Sequence, residues 1–302
     1  MKTCVMGVVA AWHRPELLRR LLASLHGQGS ALIGIVVVDN GGTRAHEAEL
    51  RAISPVPLHW DEPGENLGTG GGIARCLEAA LRRPDTTHCW IMDDDMVATA
   101  GVLPTMLDAM TAARADAVSP LLSDNQGRIA WFPGPLPQPA WDEIRRGLTP
   151  IEFQARCGTA ALRWNWSIWA SMVVTRRAVE RIGLPNPLLW YQGADIEYTL
   201  RLSARFNTVL APAAVCQHLS PPISPDACAR KVCQSLQNAA YTAVRLRHGR
   251  RILRHLPGNH FRYWRARGYS LRALGASLKA FWRGAVLGRP VGVDRANGYQ
   301  SP

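Results

Sequence analysis

Short apolar runs alternate with segments of helical periodicity along most of the chain. Thr3–Ala11 and Leu32–Val38 have the length and apolar content of buried strands, and between them leucines recur at helical spacing behind Pro15. The pattern predicts further helices over Thr43–Ile53, Ile73–Arg82, Gly101–Met110 and Arg177–Ile182, and further strands over Pro57–Trp60, His88–Met92, Asp116–Leu122, Ala170–Thr175 and Phe206–Val215. This alternation predicts an α/β fold with a doubly wound, mostly parallel sheet flanked by helices.

The apolar run His88–Met92 ends in three consecutive carboxylates, Asp93, Asp94 and Asp95. In open α/β sheets ligands bind beyond the carboxyl ends of the strands, so this position favours a binding site. Successive residues of an extended segment point to opposite sides, and Asp93 and Asp95 can therefore converge on one cation while Asp94 faces elsewhere. Carboxylate oxygens suit Mg²⁺ or Mn²⁺. The alternative is a solvated turn or a helix cap that binds no metal.

A glycine-rich segment, Asp61–Arg75, leads into a predicted helix and contains the run N-L-G-T-G-G-G. Glycines allow backbone N–H groups to approach an anion closely, and a helix N-terminus adds a favourable dipole, so the segment is a candidate diphosphate cradle. It lacks the G-K-[ST] ending of a P-loop and the register of G-x-G-x-x-G. A flexible turn without a ligand is the alternative.

Aromatic and acidic residues cluster in the second half of the chain. Tryptophans alternate along Arg163–Trp169, which is typical of half-buried strand packing, and the functional alternative is a platform for a sugar face. Asp195 and Glu197 fall in or near the first turn of a helix that begins at Gly193, where acids stabilise the helix dipole. Two positions apart, they diverge by about 200° around the helix axis, so we do not expect them to share one role.

Composition indicates a globular protein with a basic C-terminal region. Of the 302 residues 47% are hydrophobic, enough for a packed core, and no apolar run reaches the length of a membrane-spanning helix. The first residues lack a signal-peptide cleavage site, and the seven cysteines are odd in number and scattered, so we expect a cytoplasmic protein without a disulfide framework or a zinc site. The net charge is +12, and residues 226–302 contain 15 basic and two acidic residues.

The C-terminal region is predicted to be helical, with arginines and aromatic residues interleaved. The pattern is clearest at Arg250, Arg251, Arg254, Phe261, Arg262, Tyr263, Trp264, Arg265 and Arg267. Such a segment favours an anionic membrane surface, because cations meet lipid headgroups and rings lie at the interface. Nucleic acid and an inert, solvated basic face are the alternatives. We therefore predict two regions, a catalytic domain at 1–225 and a basic helical region at 226–302.

The order of these motifs resembles family 2 glycosyltransferases, most closely their galactofuranosyltransferase- and rhamnosyltransferase-like branch, from about residue 5 to residue 240. The stretches that carry the resemblance are Arg14–Leu18, Val37–Asn40, Asn66–Gly72 with Arg75, Asp93–Asp95, Gly193–Arg201 and His218. The resemblance implies a GT-A fold and an inverting glycosyl transfer by single displacement. Some positions depart from the family pattern, among them Gly193, Ala194, Thr69 and Cys76, and these leave the donor and acceptor open.

The resemblance also implies roles for individual residues. The donor site would comprise Arg14, Asp39, Asn66, Gly68, Gly70, Gly71, Arg75, Asp93 and Asp94. A Mn²⁺ or Mg²⁺ ion would be held by Asp93, Asp95 and His218, and the imidazole favours Mn²⁺. Asp195 would be the general base that deprotonates the acceptor hydroxyl, and Glu197 would orient the acceptor. The residues expected to contact the acceptor are Trp164, Trp166, Trp190 and Tyr191.

The function expected from these roles is transfer of a sugar from UDP-galactofuranose, or next from dTDP-rhamnose, to a glycan or lipid-linked acceptor. The protein would be cytoplasmic and peripheral on the inner face of the cell membrane, with no nucleic-acid partner. Two alternatives from other classes are a non-catalytic protein that binds polyanions or nucleic acid, and a metal-dependent nucleotide hydrolase. The first gives the acid triplet, the glycine run and Asp195 no purpose, and the second would consume a nucleotide without an acceptor.

Overall fold

A nine-stranded sheet forms the centre of the protein, in a computed structural model that describes residues 2–219, 225–245, 271–286 and 288. The strands are β1 (Val5–Ala11), β2 (Leu32–Asp39), β3 (Leu58–Asp61), β4 (His88–Asp93), β5 (Met96–Ala98), β6 (Ala117–Ser123), β7 (Leu162–Arg163), β8 (Ser171–Thr175) and β9 (Thr208–His218). The helices are α1 (Pro15–Ser24), α2 (Glu47–Ile53), α3 (Gly68–Leu81), α4 (Val102–Ala113), α5 (Ala140–Ile144), α6 (Pro150–Cys157), α7 (Arg176–Ile182), α8 (Ala194–Ser203), α9 (Pro225–Arg245) and α10 (Leu271–Ala285).

The strand order is β3-β2-β1-β4-β8-β6-β9-β5, with β7 also paired to β9. The first four strands are parallel, as the sequence predicts for a doubly wound sheet. Beyond them the sheet is mixed: β8 runs antiparallel to both of its neighbours, whereas β6 and β9 are parallel to each other. Because β8 is antiparallel to both β4 and β6, these two strands run in the same direction as each other and as β9. The carboxyl ends of β4, β6 and β9 therefore lie at the same edge of the sheet.

Both faces of the sheet are covered, which follows from the alternation of side chains along each strand. In β1, Val5 and Val9 pack into the core on one face, together with residues of α1 and α4. Met6 and Val8 point the other way and pack with residues of α3 and α8. Each strand of the parallel half is therefore apolar at nearly every position, and polar residues are confined to the strand ends.

The acid triplet is followed by a short strand that the sequence pattern does not predict. We expected the chain to proceed from Asp95 towards the helix at Gly101, but residues Met96–Ala98 form β5, which pairs antiparallel with the end of β9. Met96 lies opposite His218, and the N–H of Leu219 donates to the carbonyl of Asp95 at 2.8 Å. The triplet thus occupies a tight connection between β4 and β5.

The C-terminal region is described in part. Helices α9 and α10 pack against each other, and Asn238 on α9 donates to the carbonyl oxygens of Tyr191 and Gln192 at 2.6 and 2.8 Å. On α10 the side chains of Leu278, Trp282 and Val286 are exposed. Among the helices in the described ranges, none is long and apolar enough to cross a membrane. The predicted basic and aromatic residues between Arg250 and Arg267 lie outside the described residues, so the prediction for them stays a prediction.

Candidate active site

Two carboxylates and one imidazole converge at the carboxyl edge of the sheet. The Nε2 atom of His218 lies 3.6 Å from Oδ2 of Asp93 and 3.4 Å from Oδ1 of Asp95, and one ligand atom from each of the three lies within 4.8 Å of the others. Asp93 ends β4 and His218 ends β9, and the pairing of β5 with β9 brings Asp95 beside the imidazole. Asp95 and His218 are buried, and Asp93 is half-buried.

Asp94 turns away from this group, as alternation predicts, and Arg14 joins it to Asp95. The Asp94 carboxylate accepts the N–H of Trp12 at 3.3 Å. Arg14 Nη1 lies 3.4 Å from Asp94 Oδ1 and 3.0 Å from Asp95 Oδ2. Arg14 therefore contacts the acids through its guanidinium. Its expected contact with a nucleotide stays a prediction.

Burial and the crowding of negative charge perturb the pKa values of these groups. The pKa of Asp94 is raised to about 7, with burial as the largest cause; the charges of Asp95 and Asp93 contribute to the rise, and Arg14 opposes it. Burial also raises the pKa of Asp95. For His218, burial lowers the pKa, but the hydrogen bond with Asp93 and the charges of both acids outweigh burial, so the net shift is upward.

Asp93, Asp95 and His218 fit a divalent cation. They supply two hard oxygen atoms and one nitrogen atom, a set that suits Mn²⁺ better than Mg²⁺. Burial is the main cause of the raised pKa of Asp95, and the charge of Asp93 contributes to it; a cation beside the two carboxylates would offset that repulsion. These residues are the ones that the resemblance implies as ligands.

Asp195 lies in the first turn of α8, close to the acid group. Gly193, in the left-handed region at φ 85°, precedes the helix, and one oxygen of Asp195 accepts the N–H of Ile196 at 2.8 Å. Burial raises the pKa of Asp195 to about 6, and the charge of Asp93 adds to the rise. A carboxylate with this pKa is ionised at neutral pH and still basic enough to take up a proton, which suits a general base.

Glu197 is engaged in an ion pair within α8, and its expected contact with an acceptor stays a prediction. Its side chain is buried and forms a bidentate ion pair with Arg201 at 2.7 and 3.0 Å. The remaining donors of Arg201 bind the carbonyl oxygens of Ile182 and Leu184. Arg201 therefore ties α8 to the end of α7, and both oxygens of Glu197 hold its guanidinium in place.

The glycine run forms the first turn of α3, and its glycines are required for close packing. The N–H of Thr69 donates to the carbonyl oxygen of Trp190 at 2.8 Å, and the indole N–H of Trp190 donates to the carbonyl oxygen of Asn66 at 3.0 Å. A Cβ on Gly68 would lie 2.1 Å from the Trp190 oxygen, and one on Gly70 would lie 2.6 Å from the Leu189 oxygen. The segment that ends at Trp190 therefore covers the glycines, and their contact with a diphosphate stays a prediction.

Two further residues of the predicted donor site have protein partners. Arg75 forms a bidentate ion pair with Asp61, at the end of β3, with distances of 2.5 and 2.7 Å. Asp39, at the end of β2, is buried, and its oxygens accept the N–H groups of Gly41 and Thr43 and the hydroxyl of Thr43. Both residues lie at the carboxyl edge of the sheet, and here each holds a turn or a helix in place.

The four aromatic residues expected to contact an acceptor have different environments. Trp164 is completely buried in the core, so the prediction that its ring faces a ligand is wrong. Trp166 is half-buried and its backbone pairs with Gly134. Trp190 is largely buried over the glycine run. Tyr191 is half-buried, and its ring lies 6.2 Å from that of Trp190, between centroids, so it stays beside the segment that covers the glycine run.

Sequence reasoning missed three residues of this region. Asn40 is buried and holds the glycine run, because its side chain accepts the N–H of Leu67 and donates to the carbonyl of Gly68. Asp61 anchors Arg75, and its place at the end of a strand was a usable signal. The third is Trp131, whose indole ring lies 4.6 Å from the imidazole of His218, between ring centroids. No local pattern indicates this last contact.

Comparisons with known proteins match this chain to one family of transferases. Residues 8–166 match the family model described as Glycosyl transferase family 2. Galactofuranosyltransferase GlfT1 of Mycobacterium tuberculosis (strain H37Rv) is 28% identical over 282 residues, which cover 90% of this chain and 83% of the relative. Galactofuranosyltransferase GlfT2 of the same organism is 24% identical over 223 residues, which cover 65% of this chain and 34% of the relative.

Solved structures share the fold. S. aureus TarS 1-349 in complex with UDP-GlcNAc superposes with a TM-score of 0.63 at 12% identity, covering 93% of this chain and 81% of that chain. GalNAc-T7 with UDP, GalNAc and Mn²⁺ superposes with a TM-score of 0.55 at 15% identity, covering 79% of this chain and 47% of that chain. At these identities the likeness concerns the fold alone, and it confirms the GT-A architecture expected from the sequence.

Proposed function

The chain belongs to glycosyl transferase family 2, and from that membership we propose that it transfers galactofuranose from its UDP derivative to a hydroxyl group of a glycan or lipid-linked acceptor. The observation that carries the proposal is the convergence of Asp93, Asp95 and His218 at the sheet edge, with Asp195 beside them. The choice of donor rests on the galactofuranosyltransferases of M. tuberculosis as relatives. The alternative donor is dTDP-rhamnose.

The residues divide the chemistry between them. Asp195, ionised above its raised pKa, takes the proton of the acceptor hydroxyl as that oxygen attacks the anomeric carbon, so the reaction inverts the configuration. Asp93, Asp95 and His218 hold the divalent cation. When bound, the cation supplies positive charge that stabilises the departing nucleotide diphosphate. Arg14 orients Asp94 and Asp95 through its guanidinium.

The exposed face of α10 supports a membrane-bound location for the acceptor. Leu278, Trp282 and Val286 recur every four residues and therefore lie on one side of the helix, with side chains 51–65% exposed in relative terms. Lys279 and Arg283 are exposed one position further along. An apolar stripe beside cations fits an anionic lipid surface, so we propose a protein bound peripherally to the inner face of the cell membrane.

The donor site is tested by thermal unfolding with UDP, dTDP, GDP and CDP, each with and without Mn²⁺. Selective binding to the folded state adds about 2.7 kcal/mol at a hundredfold excess over Kd, which corresponds to a rise of several degrees in Tm. We expect this rise with UDP and Mn²⁺ together. Asp95→Asn should lose it, and Asp108→Asn, on the exposed side of α4, should keep it.

The outcomes separate the alternatives. No shift with any nucleotide would refute the donor site, and an undiminished shift in Asp95→Asn would refute the proposed metal ligands. A rise in Tm with dTDP alone would identify dTDP-rhamnose as the donor instead of UDP-galactofuranose. Release of UDP from UDP-galactofuranose that does not increase with added glycoside acceptors would identify a hydrolase instead of a transferase.

Membrane binding is tested by sedimentation with phosphatidylcholine vesicles, prepared with and without phosphatidylglycerol. The double variant Leu278→Ser and Trp282→Ser should lose most binding to the anionic vesicles, because the apolar stripe supplies the buried area. Ile151→Ser, at an even more exposed apolar residue on α6, is the control and should bind as the wild type does. Unchanged binding of the double variant would refute this surface.

A further inference from the structure

Trp131 combines exposure with an unfavourable backbone conformation at the edge of the site. Its side chain is 39% exposed, and its φ of 50° places a bulky residue in the left-handed region, which L side chains rarely adopt. The indole ring is tilted by 38° against the imidazole of His218, with the centroids 4.6 Å apart. Exposing an indole and straining its backbone both oppose folding, so this arrangement needs support from its surroundings.

The neighbouring residues supply that support. On one side, the N–H of Ala130 donates to the carbonyl of Leu122, near the end of β6, at 2.8 Å. On the other side, the ring of Phe132 packs edge-on against Trp141, and the N–H of Gly134 donates to the carbonyl of Trp166 at 2.9 Å. Trp131 is therefore fixed at both ends, and its ring is held next to a metal ligand by the fold.

The order of the strands indicates which reactant this ring meets. The residues expected to bind the nucleotide follow β1, β2 and β3 in the parallel half of the sheet, whereas Trp131 follows β6, which is separated from β4 by β8. The ring thus follows a strand outside the nucleotide half, and it contacts His218 at the end of β9. The nucleotide is expected over the other half of the sheet, so the acceptor is the reactant left to meet the exposed face of this ring.

We propose that Trp131 binds the acceptor sugar by stacking its exposed indole face against the C–H groups of the sugar ring. The inference rests on the proposed glycosyl transfer and adds a residue outside the predicted acceptor set. An aromatic face attracts the weakly positive C–H groups of a sugar, and a ring that is already fixed loses little entropy on binding. Trp131 acts as a binding residue for the acceptor, and its contact with His218 sets where the sugar lies relative to the metal ligands.

The test compares wild type with Trp131→Phe, Trp131→Leu and Trp131→Ala in two measurements. The first is the rise in Tm with UDP and Mn²⁺, which reports the donor site and the metal ligand His218. The second is the initial rate of transfer from UDP-galactofuranose to octyl glycosides of galactofuranose, galactopyranose and rhamnose, analysed for kcat and for KM of the acceptor. The phenylalanine variant keeps a stacking face, and the leucine variant keeps apolar bulk without one.

We expect Trp131→Ala and Trp131→Leu to raise the acceptor KM by about tenfold, the loss of a stacking contact, with the donor-dependent rise in Tm unchanged. Trp131→Phe should restore KM to within about threefold of wild type. A loss of the donor-dependent rise in Tm would show that Trp131 acts through His218, and it would overturn the inference. An unchanged acceptor KM, or transfer to none of the glycosides by a wild type that binds UDP, would also overturn it. A wild type that fails to bind UDP refutes the proposed function itself.

Discussion

The packing of the glycine run against the Trp190 segment can be tested by comparing alanine substitutions at two glycines. Gly64 and Gly68 lie four residues apart, with φ angles of 76° and 68°, so alanine at either position adopts the same unfavourable left-handed conformation. Around Gly64 there is nothing within 4 Å of an added Cβ. Gly64→Ala therefore reports the conformational cost alone, about 1 kcal/mol of the free energy of unfolding.

Gly68→Ala adds a steric conflict to the same conformational cost. Its Cβ would lie 2.1 Å from the carbonyl oxygen of Trp190, and that oxygen accepts the N–H of Thr69. Moving the oxygen away breaks this hydrogen bond and strains the bond from the Trp190 indole to Asn66, each worth about 1 kcal/mol. We therefore expect Gly68→Ala to lower the free energy of unfolding by about 3 kcal/mol, about 2 kcal/mol more than Gly64→Ala.

Urea unfolding of wild type and both variants measures this difference, and the rise in Tm with UDP and Mn²⁺ measures its effect on the donor site. The Gly68 variant should lose stability and, because the start of α3 shifts, also part of the nucleotide-dependent rise. If Gly68→Ala costs no more than Gly64→Ala, the close approach of Trp190 is refuted. If it keeps its stability and loses only nucleotide binding, the glycine contacts the ligand and is not required for packing.

Two further predictions concern α8. Because burial raises the pKa of Asp195 to about 6 and the base must be ionised, kcat/KM at saturating Mn²⁺ should fall about tenfold for each pH unit below that value. Asp195→Asn should lower kcat at least about a hundredfold and remove this limb, and an unaltered limb in the variant would assign it to another group. Glu197→Gln should lower the free energy of unfolding by about 1–3 kcal/mol, because Arg201 loses a charged partner. We expect little change in kcat or in the acceptor KM. A large rise in the acceptor KM would support the predicted contact of Glu197 with the acceptor.

The candidate metal ligands show how much of the site the sequence can predict. Asp93 and Asp95 were identifiable because they come at the end of an apolar run. His218 was identifiable because it follows another predicted strand and matches a position of the family that the sequence resembles. Their convergence depends on β5, a three-residue strand whose pairing partner lies about 120 positions later in the chain. A strand of that length has no periodicity of its own, so its existence becomes visible only when β9 is beside it.

Two residues expected near the acceptor have surroundings that the sequence did not predict. Glu197 and Trp164 were placed there because of their type and their neighbours in the chain, yet Glu197 is paired with Arg201 and Trp164 lies in the core. Alternation determines which residues share a side of a strand, but it does not say which side faces the cleft. Trp131 was missed because its contact with His218 joins a loop to the end of β9, which is distant in sequence.

The sequence by itself determined the alternation of strands and helices, the carboxyl-edge position of the acids, and the position of Asp195 in the first turn of α8, since each depends on residues that are close together in the chain. Only the tertiary structure decided which strands are neighbours, that the glycine run of α3 is covered by the Trp190 segment, and that His218 meets both Asp95 and Trp131. Local periodicity reflects burial of one side of one element, whereas these contacts depend on strand order and on the path of long connections, which many sequences with the same local pattern do not share.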